Sequence, residues 1–368
     1  MRFERVVPGK IVGVQALDSA NSDSPHYRLS TPHIDISSKM IAREEVFDVD
    51  AFVPADLVHR NHELNLLSTA LSPILDGNSG SNTIVTGPSG VGKTTTARFG
   101  LKQLQTEADV VTRYVNCWDD HRPWVVLYDI LSEVGTVWDL HRRSTAHDMI
   151  LTRLRESVDK PYVVILDEVD RLDETDLLYS LDAIPELTLV LITNREEELF
   201  ASMDERVHSR FRSGVRIYCE PYRISELVEI LDARVREGLQ YDVPTEILER
   251  IADHAAGDAR VSIRSLYRAS KLAGDDVITS AVVDEAVPLA RGELRQKTTS
   301  QLKVHEATLL ELVREHGPLK MGELRPLYIE ESGEERAARS LRRDLQKLAD
   351  YNLVEARGET NGRRYVGL

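Results

Sequence analysis

Cysteine is nearly absent. Cys117 and Cys219 are the only two in 368 residues, and they form no ligand or disulfide pattern. That excludes a thiolate metal site and a disulfide-stapled secreted scaffold, and makes a reducing cytoplasm the expected compartment. The eleven histidines show no H-E-x-x-H or paired spacing, so no structural metal site is expected. No apolar run approaches the roughly 20 residues of a membrane span, and the first ten residues lack a signal-peptide core. No membrane partner is expected. Lysine is scarce too: it supplies ten of 46 basic residues, against 61 acids and a net charge of −15. A chain this acidic ordinarily has no nucleic-acid partner. Two features keep that class open. Scarce lysine with abundant carboxylate suits the surface of a protein in a very salty cytosol. The charge is also uneven, because acids and bases balance from residue 302 to residue 368 and a local basic face fits there.

What is present reads as soluble and globular, with 42% hydrophobic and 29% charged residues and room for two or three domains. Residues 1–46 begin with a strand-like alternation, "RFERVVPGKIVGVQAL", and continue as a polar, turn-rich stretch with no assigned function. From 47 to 221 strands and helices alternate. The apolar segments 83–86, 110–116, 162–166, 187–193 and 215–219 read as buried parallel strands with crossover helices, an α/β class. Residues 222–292 carry apolar residues at three-to-four spacing and form a small all-helical domain. Residues 290–301, "ARGELRQKTTSQ", read as a polar linker, and 302–368 as a third unit of three helices and a hairpin.

The chemistry starts at "TGPSGVGKTTT". Gly87 to Thr94 fits G-x-x-x-x-G-K-[ST] between a strand and a helix, the setting a phosphate-binding loop needs. Gly87, Ser89, Gly90, Val91 and Gly92 place backbone N–H groups around phosphate oxygens, and the helix start through Thr95 adds its positive end. Lys93 is placed to reach the β/γ-phosphates, and the Thr94 hydroxyl to ligate Mg²⁺. The strand "YVVILDEVD" ends in Asp167, which suits Mg²⁺, and Glu168, which suits polarising the attacking water. Such a pair argues against a small-molecule kinase. Asn194, ending "LVLITN", offers an amide to the γ-phosphate or to water. The arginines at 206, 210, 212 and 216 are either solvated charge or the source of an arginine finger for a neighbouring subunit. Arg260 of "GDAR" opens a helix in the all-helical domain and suits a nucleotide contact from a lid.

These five elements, in this order, resemble the AAA+ ATPases, a P-loop NTPase fold with a helical lid. With "FVPADLVHRNHELNLL", "YVNCWDDHRPWVVLYDIL", "DERVHSRF" and "YCEPY", residues 47–368 are similar to the archaeal replication initiators of the cell-division-control-six/origin-recognition-one type, and the acidic balance suggests a haloarchaeal member. The resemblance implies that Tyr222 and Arg234 contact the adenine nucleotide from the lid. It places sensor residues at Asn194 and Arg260 and the trans finger at Arg206 or Arg210, with Arg210 preferred. It also makes residues 116–149 the initiator-specific insertion that touches duplex DNA.

Residues 302–368 resemble a winged helix. Arg336, Arg339, Arg342 and Arg343 lie on its third helix, and Arg357, Arg363 and Arg364 on the hairpin wing. Such a helix enters the major groove, and a wing meets phosphates or the minor groove. The function implied is an ATP-dependent initiator that binds origin duplex DNA and helps load the replicative helicase. Further AAA+ protomers are possible partners, ATP/ADP and Mg²⁺ the cofactors, slow hydrolysis a switch, and the location cytoplasmic and nucleoid-associated. The rivals are a transcriptional or mobile-element regulator, an auxiliary paralogue and a clamp-loader-like ATPase.

Overall fold

The computed structural model describes residues 41–118, 121–141, 145–358 and 362–368. The strand and loop expected within 1–40 lie outside the described residues. All five expected strands form, each within a residue of its expected bounds: β1 (Thr83–Thr86), β2 (Val111–Asn116), β3 (Tyr162–Asp167), β4 (Leu187–Ile192) and β5 (Val215–Tyr218). They make one parallel sheet in the order β2-β3-β4-β1-β5. Their apolar runs are continuous because both faces are covered. On β3, Val163 and Ile165 pack towards α1 (Asn61–Leu71) and α2 (Lys93–Glu107), while Tyr162, Val164 and Leu166 face the opposite core. That core is built by α3 (Pro123–Ser132), α4 (His147–Ser157), α5 (Asp176–Asp182), α6 (Glu196–Ser202) and α7 (Glu205–Arg212). The order brings the C-terminal ends of β1, β3 and β4 side by side, where an open α/β sheet binds ligands.

The lid comprises α8 (Ile224–Gly238), α9 (Thr245–Ala255), α10 (Ala259–Ala273) and α11 (Ser280–Ser300). Two expectations change here. The boundary at residue 47 is not a boundary. Val46 and Phe47 are fully buried in the lid core with Leu231 and Ile263, and Ile41 pairs with Leu239. The polar stretch 290–301 is not a linker either, because α11 runs through it to Ser300 with Pro288 inside. Its polar residues have partners on the neighbouring helix: Glu293 pairs with both Arg264 and Arg268 of α10, and Ala290 is buried beside them. Charge satisfied across helices looks the same in a sequence as charge left in solvent.

The third unit holds α12 (Val304–His316), β6 (Leu319–Lys320), α13 (Met321–Ser332), α14 (Ala338–Asp350), β7 (Val354–Arg357) and β8 (Arg364–Gly367). Its small antiparallel sheet, ordered β6-β8-β7, closes a core of Leu309, Leu324, Leu341, Leu345 and Tyr328. This is a winged helix. The third helix starts later than expected, so Arg336 precedes it and pairs with Asp344 at 2.8 Å. Truncating the ring that joins the first described segment to the lid, Phe47→Ala, is expected to cost about 3–5 kcal/mol. Denaturant unfolding followed by a lid-specific probe checks this.

Candidate nucleotide site and winged-helix interface

The loop after β1 is held from two sides. Gly90 and Gly92 both have positive φ, 79° and 82°, which few other residues adopt without strain. A Cβ on Gly92 would lie 2.6 Å from the Tyr222 hydroxyl, and one on Gly90 would collide with Asp258. Tyr222 leads into the lid, and Asp258 caps its third helix, α10. The Ala259 N–H donates to Gly90 O at 2.9 Å, and Arg260 donates to the Ser89 hydroxyl. Lid and loop therefore form one cradle. Arg60 supports it from below. Fully buried, it donates to Val91 O at 2.9 Å and Glu220 O at 2.7 Å, pairs with Glu63 at 3.1 Å, and stacks on Tyr222 at 3.9 Å. Arg60 lies in a stretch the sequence marks, yet its role is invisible there, because Val91 and Glu220 are distant in the chain.

At α2 the helix begins at Lys93 with no side-chain cap, so its first N–H groups, through Thr94 and Thr95, keep no intrahelical partner. An anion fits that position. The buried Lys93 ammonium donates to Gly87 O, Pro88 O and Asn194 Oδ1 at 2.8, 2.7 and 2.9 Å. Burial pulls its pKa down, while Glu168 and Asp167 oppose that. The Thr94 hydroxyl donates to Asp167 Oδ2 at 2.6 Å, and the Tyr114 hydroxyl to the same oxygen at 2.9 Å. A hydroxyl and a carboxylate so close, at the helix start, are oxygen donors suited to Mg²⁺. Burial raises the Asp167 pKa despite these bonds.

Glu168 follows in a left-handed conformation (φ 51°, ψ 44°), which turns its carboxylate towards Asn194. The Asn194 amide donates to Glu168 Oε2 at 3.4 Å. Burial, then the Asp170 and Asp167 charges, push Glu168 up to about 7. Lys93, Thr94, Asp167, Glu168, Asn194, Ser89 and Arg260 are thus brought together. Arg206 and Arg210 are not. Both are exposed on α7 beside Tyr179, paired with Asp204 at 2.9 Å and Asp182 at 3.2 Å. Arg234 also lies away from the loop. It is buried on α8, donates to Val46 O at 3.1 Å and stacks on Phe52 at 4.3 Å. Burial lowers its pKa to about 10.

Sequence reasoning missed a second set of contacts, between the winged helix and the residues that follow β2, β3 and β4. The Arg171–Glu306 pair is almost fully buried, and the Arg171 guanidinium lies 4.0 Å over the Trp118 ring. Lys347 binds Asp170 at 2.9 Å, Lys303 binds Asp173 at 2.9 Å, and Asp350 binds Arg195 at 3.0 Å. Tyr351 meets Trp118 edge-on at 4.3 Å and donates its hydroxyl to Glu168 Oε2 at 3.0 Å. Trp118 belongs to the insertion expected to touch DNA, and here it packs on the winged helix. His305, Glu306 and Asp344 also converge, but Arg171 and Arg336 already neutralise the two carboxylates.

Towards the start of α14, ahead of the docking residues Lys347 and Asp350, Arg339, Arg342 and Arg343 are exposed. Arg357, Arg363 and Arg364 are exposed on the hairpin, with Arg357 paired to Glu355 and Arg364 donating to Pro318 O at 2.9 Å. Among the described residues no helix is long and apolar enough to cross a membrane.

Comparison with known proteins decides the family. The chain is 39% identical over 324 residues to ORC1-type DNA replication protein 9 of Halobacterium salinarum, covering 85% of this chain and 90% of the relative. This chain belongs to the ORC1-type DNA replication proteins. It is also 41% identical over 296 residues to ORC1-type DNA replication protein 1 of the same organism, covering 79% of this chain and 96% of that one. Residues 77–213 match the AAA domain family, which agrees with an ATPase built on β1–β4. Among solved structures, the Aeropyrum pernix ORC1 protein in complex with DNA is similar over 90% of this chain and 94% of that chain, with 26% identity and a TM-score of 0.70. The family's ATPase core here depends on Arg60. Arg60→Ala leaves the buried Val91 carbonyl, the Glu220 carbonyl and the buried Glu63 without their partner and is expected to cost about 3 kcal/mol. Arg60→Lys should recover only part of it, because it lacks the planar fork. Thermal unfolding checks both.

Proposed function

We propose that this replication protein is an ATP-switched initiator that binds origin duplex DNA and helps recruit the replicative helicase. The observation that carries the reading is the convergence of Lys93, Thr94, Asp167, Glu168, Asn194 and Arg260 on one cradle closed by the lid. Lys93 would exchange loop carbonyls for phosphate oxygens, and the uncapped start of α2 would face the same phosphates. Thr94 and Asp167 would hold Mg²⁺, which when bound offsets phosphate charge. Glu168 polarises the attacking water, and Asn194 orients it while reporting on Lys93. Arg260 reaches from lid to loop, so nucleotide identity is read as lid position. Tyr222, whose hydroxyl lies against Gly92, would meet the base side from the lid, and Arg234 would join it only by leaving Val46 O and Phe52. Arg210, or Arg206, would exchange its exposed pair with Asp182 or Asp204 for a neighbouring protomer's phosphates, since each lies away from this chain's own loop.

Duplex binding falls to Arg339, Arg342 and Arg343 on α14 and to Arg357, Arg363 and Arg364 on the wing. Arg336 takes less part, because Asp344 holds it. Turnover is slow, each cycle being a change of state.

Glu168→Gln should keep ATP affinity while slowing hydrolysis by about 100-fold or more, and Lys93→Ala should lose binding itself. Nucleotide titration and single-turnover assays separate the two, and normal turnover in either variant refutes the site. Arg339→Ala should weaken duplex binding and reduce the slope of log affinity against log salt by about one. Fluorescence anisotropy across a molar salt range measures that. Genomic footprinting with peaks at promoters rather than beside origins would favour a transcriptional regulator instead.

A further inference from the structure

Three of the four charged contacts named above between the winged helix and the sheet domain land within five residues of the hydrolytic carboxylate, and the fourth, Asp350 on Arg195, lands next to Asn194. Glu306, Lys347 and Lys303 bind Arg171, Asp170 and Asp173, and Tyr351 binds Glu168 itself. The tyrosine is buried, and its ring is fixed by Trp118 at 4.3 Å and Arg171 at 5.3 Å. A buried phenol keeps a hydrogen-bond partner, and Glu168 Oε2 is the one within reach at 3.0 Å. That oxygen already accepts from Asn194. With two donors on it, a water approaching the same oxygen must displace one of them.

We infer that Tyr351 is a positioning residue for Glu168: the docked winged helix holds the carboxylate through the tyrosine hydroxyl, and DNA engagement by the same domain releases it. The inference rests on the reading of Glu168 as the group that polarises water. The geometry of α14 supplies the link. Its first half carries Arg339, Arg342 and Arg343 exposed, while Lys347, Asp350 and the adjoining Tyr351 carry the docking contacts. A helix of 13 residues is a stiff rod about 20 Å long. A duplex that reorients its first half moves Tyr351 relative to Glu168. The ion pairs and the aromatic contacts hold the dock, and the hydroxyl alone reports it to the active site.

The test uses the full-length protein and steady-state ATP hydrolysis, with and without duplex DNA. Tyr351→Phe keeps the ring and its packing and removes only the donor. It should raise kcat about tenfold without DNA, leave KM for ATP within about twofold, and abolish further stimulation by the duplex. Lys347→Met loosens the dock at Asp170 without touching Glu168, and should raise kcat in the same direction. A Tyr351→Phe protein with unchanged or lower kcat, or with the duplex response of the parent, overturns the inference. Glu168→Gln runs alongside. If it is inactive while Tyr351→Phe is silent, only the tyrosine's role fails. If it still turns over, the assignment of Glu168 fails and takes the inference with it.

Discussion

A fully buried strand that ends in ionisable groups must have them neutralised. β3 is buried along its whole length and delivers Asp167, Glu168, Asp170 and Arg171 within five residues. In a low-dielectric interior an unpaired charge costs several kcal/mol, and breaking a buried pair typically costs about 3–5 kcal/mol. Each of the four has therefore recruited partners from a different part of the chain. Asp167 takes Thr94 and Tyr114, Glu168 takes Asn194 and Tyr351, Asp170 takes Lys347 and Thr193, and Arg171 takes Glu306. The phosphate loop, the second and fourth strands and the winged helix all meet at this turn. Chemistry requires the acids, and the architecture follows from stabilising them.

How much of this the sequence carried depends on the range of the interaction. The phosphate loop, the acidic strand end and Asn194 were legible because their chemistry is local: a strand, a turn and a side chain within a few residues. The five strands were legible to within a residue because each is an apolar run bounded by turn signals. Arg60, Tyr114, Trp118 and Tyr351 were not legible as site residues. Each acts on a partner that is distant in the chain, and nothing near Tyr351 in the sequence distinguishes it from a core aromatic. The helical character of 290–301 was lost for the same reason. Glu293 looks solvated until α10 supplies Arg264 and Arg268.

The charge balance also reads differently in three dimensions. The net −15 coexists with a winged helix whose arginines on α14 and the hairpin stay exposed while two of its acids are held in buried pairs, Asp344 by Arg336 and Glu306 by Arg171 of the sheet domain. Arginine suits both duties, since its planar fork pairs with a buried carboxylate and stacks on an aromatic ring as Arg171 does on Trp118. A lysine-poor, arginine-rich chain thus keeps a basic face without becoming basic overall.

The unbroken α11 has a mechanical consequence. It leaves the lid core at Ala290 and ends at Ser300, and α12 begins at Val304, so three residues join the lid's last helix to the first helix of the winged unit. Three residues give at most about 10 Å of slack. A strut some 30 Å long with so short a tether transmits torque instead of absorbing it. Any lid swing of a few degrees would therefore arrive at the winged unit as a displacement of ångströms.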